Sequence, residues 1–189
     1  MDTSGMDMLW QDLGDRYLIK VLTPKGKELA LKLSGIDKAQ EKDLSEAKKR
    51  GEKVVSMIPQ AFEVEKMAEK LCSSFEDSAW ETIHERCLGC AACTYVCPTC
   101  HCFDIQDENI RERGRRVKLW DSCMFSLFTL HTSGHNPRLS GKERMRQRIM
   151  HKFNYFKVNN GHIACVGCGR CIRECPVNMD IRQIVSAFS

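Results

Sequence analysis

The stretch Cys87-Leu-Gly-Cys90-Ala-Ala-Cys93-Thr-Tyr-Val-Cys97-Pro98 recurs, spacing for spacing, as Cys165-Val-Gly-Cys168-Gly-Arg-Cys171-Ile-Arg-Glu-Cys175-Pro176. Eight of the twelve cysteines fall in these two runs. The spacing C-x2-C-x2-C-x3-C-P puts three thiolates on one tight loop around an iron–sulfur cubane, while the fourth reaches the neighbouring cluster. Crossed ligation is therefore expected: Cys87, Cys90, Cys93 and Cys175 for one [4Fe–4S] cluster, and Cys165, Cys168, Cys171 and Cys97 for the other. Two four-cysteine zinc sites are the plainer alternative, but those present two separated CxxC knuckles rather than three cysteines at steps of three. Gly89, Gly167 and Gly169 suit turns that bring backbone N–H groups towards cluster sulfurs. Pro98 and Pro176 keep a helix from running on through the last ligand.

Three further thiols follow the first run: Cys100-His101-Cys102 at once, and Cys123 in Trp120-Asp-Ser-Cys123. With Asp121 or His101 they could hold a further iron–sulfur cluster or a zinc ion. Free thiols packed beside the clusters fit them as well. Cys72 reads as a small core residue, and His84 as structural rather than a ligand.

The formal charge of +4 invites a nucleic-acid reading. Eight thiolates around two cores of about +2 each contribute roughly −4, which brings the loaded protein near neutrality. The basic run Arg111-Glu-Arg-Gly-Arg-Arg116 lacks interleaved aromatic residues for stacking bases, so it reads as a dock for an acidic partner or an offset to cluster charge. Arg170 and Arg173 are candidates for tuning potential. No apolar run is long enough for a membrane-spanning helix, and the first residues lack the form of a secretory signal. With ligands that must stay reduced, a cytoplasmic, anaerobic setting is expected. There is no G-x-G-x-x-G and no P-loop.

The elements that must position this chemistry are expected to be mainly α, with a small N-terminal β element, in two parts. Residues 1–60 would form a β-hairpin and a charged arm: strands at Tyr17–Leu22 and Glu28–Leu33 around a turn at Thr23-Pro-Lys-Gly26, then an exposed helix or linker over Ser34–Arg50. Residues 61–189 would form an α-helical ferredoxin-like dicluster domain with a helical insert at 103–160. Val64, Met67, Ala68, Leu71 and Phe75 give one helical stripe. Ser78 and Glu81 read as a capping box for a second helix. Between Cys97 and Cys165 lie 67 residues, too well patterned for a structureless loop. There, Trp120–His131 reads as a buried helix, and the capping box Ser140-Gly-Lys-Glu143 precedes Met145, Ile149 and Phe153, with Arg144, Arg146, Arg148 and Lys152 on the same helix.

With these residues in view the chain resembles the iron–sulfur subunits grouped with anaerobic sulfite reductase and with the β subunit of archaeal sulfhydrogenase. The matching text includes Asp12-Leu-Gly-Asp-Arg-Tyr17, Cys97-Pro-Thr-Cys-His-Cys-Phe-Asp104, Trp120-Asp-Ser-Cys-Met-Phe125, Gly134-His-Asn136, His151-Lys-Phe153 and both cysteine runs. Such subunits are typically longer at the N-terminus, so this chain is expected to be a shortened version. The resemblance implies a member of a multi-subunit complex that relays single electrons. Its partners would be a flavin subunit handling NAD(P)H and a terminal module of hydrogenase, sulfite reductase or heterodisulfide reductase type. The rival reading is a catalytic reductase acting on a small sulfur compound or disulfide at an additional cluster built from the spare cysteines.

Overall fold

A computed structural model describes residues 3–58 and 63–188. The chain divides into two compact units, Met1–Gln60 and Ala61–Ser189; the boundary expected at 60/61 lies outside the described residues.

The first unit carries β1 (Met8–Asp12), β2 (Tyr17–Val21), α1 (Pro24–Ala30) and α2 (Glu41–Met57). β1 and β2 pair antiparallel, Met8 opposite Val21 and Asp12 opposite Tyr17. The tight turn between them uses Gly14 at φ 94°, with its N–H donating to Asp12 Oδ1 at 2.6 Å. This corrects the expected hairpin, because Tyr17–Val21 is its second strand and the Pro24 segment is helical. Thr23 caps that helix by accepting the Gly26 N–H at 3.1 Å, and Pro24 stands in the first turn, where its missing N–H costs nothing. A Cβ on Gly26 would lie 2.1 Å from the Asp7 carbonyl oxygen, so glycine here lets α1 close on the strand. Of the Ser34–Arg50 arm only the part from Glu41 onward is helical, as the start of α2, whose Asp43 and Glu46 hold Arg16 at 2.9 and 3.2 Å. Leu13, Leu18 and Ala47 form this unit's own small core.

The second unit contains α3 (Val64–Ser73), α4 (Ala79–Glu85), α5 (Ala92–Tyr95), β3 (Phe103–Ile110), β4 (Arg113–Trp120), α6 (Gly141–Met150), a π turn at His151–Tyr155, α7 (Phe156–Asn160), α8 (Arg170–Arg173) and α9 (Ile181–Ser186). The fold is thus mixed, with small strands, where mainly α was expected. Met67, Ala68 and Leu71 of α3 are buried as their spacing predicts, but Cys72 is exposed and not a core residue. Ser78 forms no side-chain cap on α4. Asp77 replaces it, accepting the Ala79 N–H at 2.7 Å. The Ser140–Glu143 capping box on α6 does form, with the Ser140 N–H donating to Glu143 at 2.7 Å.

The insert begins as a β-hairpin, not a helix. β3 and β4 pair from Phe103 opposite Trp120 to Ile110 opposite Arg113, across a two-residue turn in which Arg111 takes φ 57°. The register puts Asp107 against Arg116 at 2.8 Å and Glu108 against Arg115 at 2.7 Å. The basic run is therefore matched by acids on the facing strand. Trp120–His131 is not a buried helix either. Ser122 N–H donates to Asp121 Oδ1 at 2.6 Å and Ser122 Oγ accepts from Met124 N–H at 3.0 Å, local side-chain bonds that compete with a helical ladder. Asn136 closes the loop by donating to the Ser126 carbonyl at 2.6 Å and accepting from Thr129 at 2.8 Å.

One core spans α3, α4, α6, the π turn and α9, including Leu71, Trp80, Met145, Ile149, Phe153 and Val185. Trp80 stacks on Phe188 with ring centroids 4.3 Å apart. His84 is structural, its Nδ1 lying 3.1 Å from the Trp80 carbonyl oxygen. Both cysteine runs abut this core through Cys87, Cys93, Cys165 and Cys171.

Candidate iron–sulfur site

The two runs repeat in backbone as well as in letters. Gly89 and Ala91 of the first have φ 67° and 63°, and Gly167 and Gly169 of the second have φ 66° and 72°. Each run makes two left-handed residues and then one short helix, α5 or α8. Ala91 holds that conformation without glycine's freedom, at a cost of roughly 1–2 kcal/mol. The turns aim N–H groups at sulfur: Gly89 N–H donates to Cys87 Sγ at 3.4 Å and Met179 N–H to Cys175 Sγ at 3.2 Å. α5 and α8 pack against each other, so the two runs are neighbours despite their separation in sequence.

Cys165, Cys168 and Cys171 line a cavity of about 130 Å³ together with Cys97, the last cysteine of the other run. This is the set that the fourth-cysteine crossing calls for, with four thiols bordering one small space. On the other side, Cys93 lies in the electrostatic field of Cys87 and Cys90, while Cys175 sits on the loop after α8. Cys90 and Cys168 are exposed.

Each of the three spare thiols lies beside another thiol, Cys102 beside Cys123 and Cys100 beside Cys97. Asp121 N–H donates to the Cys102 carbonyl at 3.1 Å, continuing the β3–β4 ladder by one rung and bringing Cys123 to Cys102. A hydrogen bond from Cys123 holds the Cys102 thiol down at about 6. The same bond and burial push Cys123 up. Likewise a hydrogen bond from Cys100 lowers Cys97 to about 4. Cys97, Cys100, Cys102 and Asp121 border a second, larger cavity of about 380 Å³, with Arg170 also on its wall. Among the described residues no three His, Cys, Asp or Glu side chains converge as ligands of a single metal ion. His101 lies near His151, ring centroids 6.0 Å apart.

Of the cations that the sequence places on this helix, Arg148 and Lys152 are buried. Met145, Arg148, Ile149, Lys152 and Phe153 fall at i, i+3, i+4, i+7 and i+8, the stripe a helix turns inward, and that spacing is the signal that marks them. Burial works against the charge on Arg148, but Cys93, Cys171, Cys100 and Cys123 outweigh it and raise its pKa. Lys152 is likewise raised: burial opposes its charge, and Cys100 and Cys97 more than offset that. The π turn serves the site directly, since the Lys152 carbonyl within it accepts the Ala164 N–H at 2.8 Å and docks the start of the second run.

Thiols grouped on two matching loops and backed by buried cations are the donor set that iron–sulfur ligation uses. Residues 86–179 match the family model described as a 4Fe-4S dicluster domain. Over 178 residues the chain is 35% identical to sulfhydrogenase 2 subunit beta of Pyrococcus furiosus, covering 93% of this chain and 53% of that protein. It thus spans about half the length of the curated relative it matches. No solved structure matches it. The chain is thus similar to an iron–sulfur subunit of sulfhydrogenase β type, and its cysteine runs fall within the matched 4Fe-4S segment. Among the described residues no helix is long and apolar enough to cross a membrane.

Proposed function

We propose that the chain is an electron-relay subunit holding two [4Fe–4S] clusters by crossed ligation, Cys87, Cys90, Cys93 and Cys175 on one and Cys165, Cys168, Cys171 and Cys97 on the other. The observation that carries this reading is the cavity in which Cys97 joins the three cysteines of the opposite run. When bound, each cluster supplies one-electron chemistry and no more. The chain's own part is to present thiolates and to hold N–H donors and buried cations towards the sulfurs, which sets the potential. Its exposed Cys90 and Cys168 loops are the natural points of entry and exit.

The partners proposed are a flavin subunit handling NAD(P)H and a terminal redox module of hydrogenase, sulfite reductase or heterodisulfide reductase type, in a cytoplasmic complex. The name of the Pyrococcus relative, a sulfhydrogenase subunit, supports an oxidoreductase setting. A second reading takes the 380 Å³ cavity bordered by Cys100, Cys102 and Asp121, with Cys123 beside Cys102, as the place of a third iron–sulfur cluster or a zinc ion in a reductase of small sulfur compounds.

Iron, sulfide and zinc analysis after anaerobic reconstitution tests both. About eight irons per chain fit the relay with empty spare thiols; about twelve irons, or zinc beyond eight irons, fit the second reading. A colourless, iron-free product sinks the proposal. The isolated relay should also fail to reduce polysulfide or disulfides from an artificial donor.

A further inference from the structure

Arg148 and Lys152 stand one helical turn apart, and both are buried. Among the described residues neither has a carboxylate within ion-pair distance. Arg148 is only 5% exposed and its Nε finds no hydrogen-bond partner. A buried cation is strongly unfavourable unless something negative faces it, and what faces Arg148 is sulfur: Cys93 of the first run and Cys171 of the second, then Cys100 and Cys123. Lys152 donates to Thr99 Oγ1 at 3.0 Å and faces Cys97 and Cys100.

We propose that Arg148 is a positioning residue for electron transfer, a fixed positive charge set between the two thiolate groups that raises the reduction potential of both clusters, while Lys152 does the same for the cluster of the second run alone. The inference rests on the two-cluster reading. Each one-electron reduction adds a negative charge to a centre already ringed by thiolates, and a cation held in a poorly screened interior favours the more negative state. The electron comes from the donor protein and no proton accompanies it on Arg148, because a guanidinium keeps its proton at any working pH. One side chain acting on both centres moves their potentials together, so the gap between them stays set by the loops.

The test is an EPR-monitored redox titration of the anaerobically reconstituted full chain, with iron and sulfide counted per chain in every variant. Arg148→Gln should shift both midpoint potentials to more negative values at unchanged iron, and Arg148→Lys, which keeps the charge, should shift them less. Lys152→Gln should move one midpoint, that of the cluster lost in Cys168→Ser. Fully loaded Arg148→Gln with both potentials unmoved overturns the proposal. Should Arg148→Gln fail to hold iron, Lys152→Gln decides it, since an unmoved potential there at full iron has the same force. A parent chain that binds no iron refutes the two-cluster reading itself, whereas a loaded parent with indifferent variants refutes only the role given to these cations.

Discussion

Cys97 belongs to the first run by sequence and to the second by position, for it borders the cavity of Cys165, Cys168 and Cys171. Cys97→Ser should therefore strip the cluster of the second run, taking iron from about eight to about four per chain and leaving the EPR signal that Cys168→Ser also leaves. Cys175→Ser should spare the opposite signal. If Cys97→Ser instead removed the signal lost in Cys90→Ser, each run would keep its own four ligands. The two matching loops were legible because cysteine spacing is a local property that survives whatever the rest of the chain does. Arg148 was not legible in the same way. An arginine in a run of arginines looks solvated until its phase against Met145, Ile149 and Phe153 is noticed. Cys72 went wrong for the opposite reason: it is flanked in sequence by the apolar stripe of α3 but points off it.

At the scale of elements, the capping box on α6 is the joint between the loop that brings Cys123 in and the helix that carries the buried cations. The Ser140 hydroxyl and N–H hold the Glu143 carboxyl below its usual 4.5, so the contact favours the ionised acid. A lowered carboxylate pKa gives stability that is fully present above the unfolded value and is lost as pH falls through the folded one. Glu143→Ala should cost about 1 kcal/mol at pH 7. In urea unfolding followed by circular dichroism, that deficit should hold down to about pH 4.5 and shrink below it; a deficit that does not change with pH would mean the carboxylate is not the cause. This box was readable because its partners are three residues apart. The β3–β4 hairpin was missed because its evidence is non-local: Asp107 and Glu108 answer Arg116 and Arg115 only once the chain has turned at Arg111. In the first unit the Pro24 segment misled in another way, since proline suits both the second position of a turn and the first turn of a helix. The Thr23 cap and the approach of Gly26 to Asp7 decided between them.

For the whole molecule, all twelve cysteines lie beyond Gln60, and each unit buries apolar residues of its own: Leu13, Leu18 and Ala47 in the first, the cluster around Trp80 and Phe153 in the second. The first sixty residues thus supply no thiol, and the second unit's core is built from its own side chains. A chain reduced to residues 61–189 should therefore fold and take up the same iron as the full chain, about eight per molecule by the two-cluster reading, with unchanged midpoint potentials. We propose partner binding as the role of the first unit, with its Arg16–Asp43–Glu46 clasp. Deleting it should weaken co-purification with the electron donor or acceptor while sparing the EPR spectrum. Loss of iron on truncation would mean that residues before 61 support the cluster loops, and the division of labour between the units would have to be abandoned.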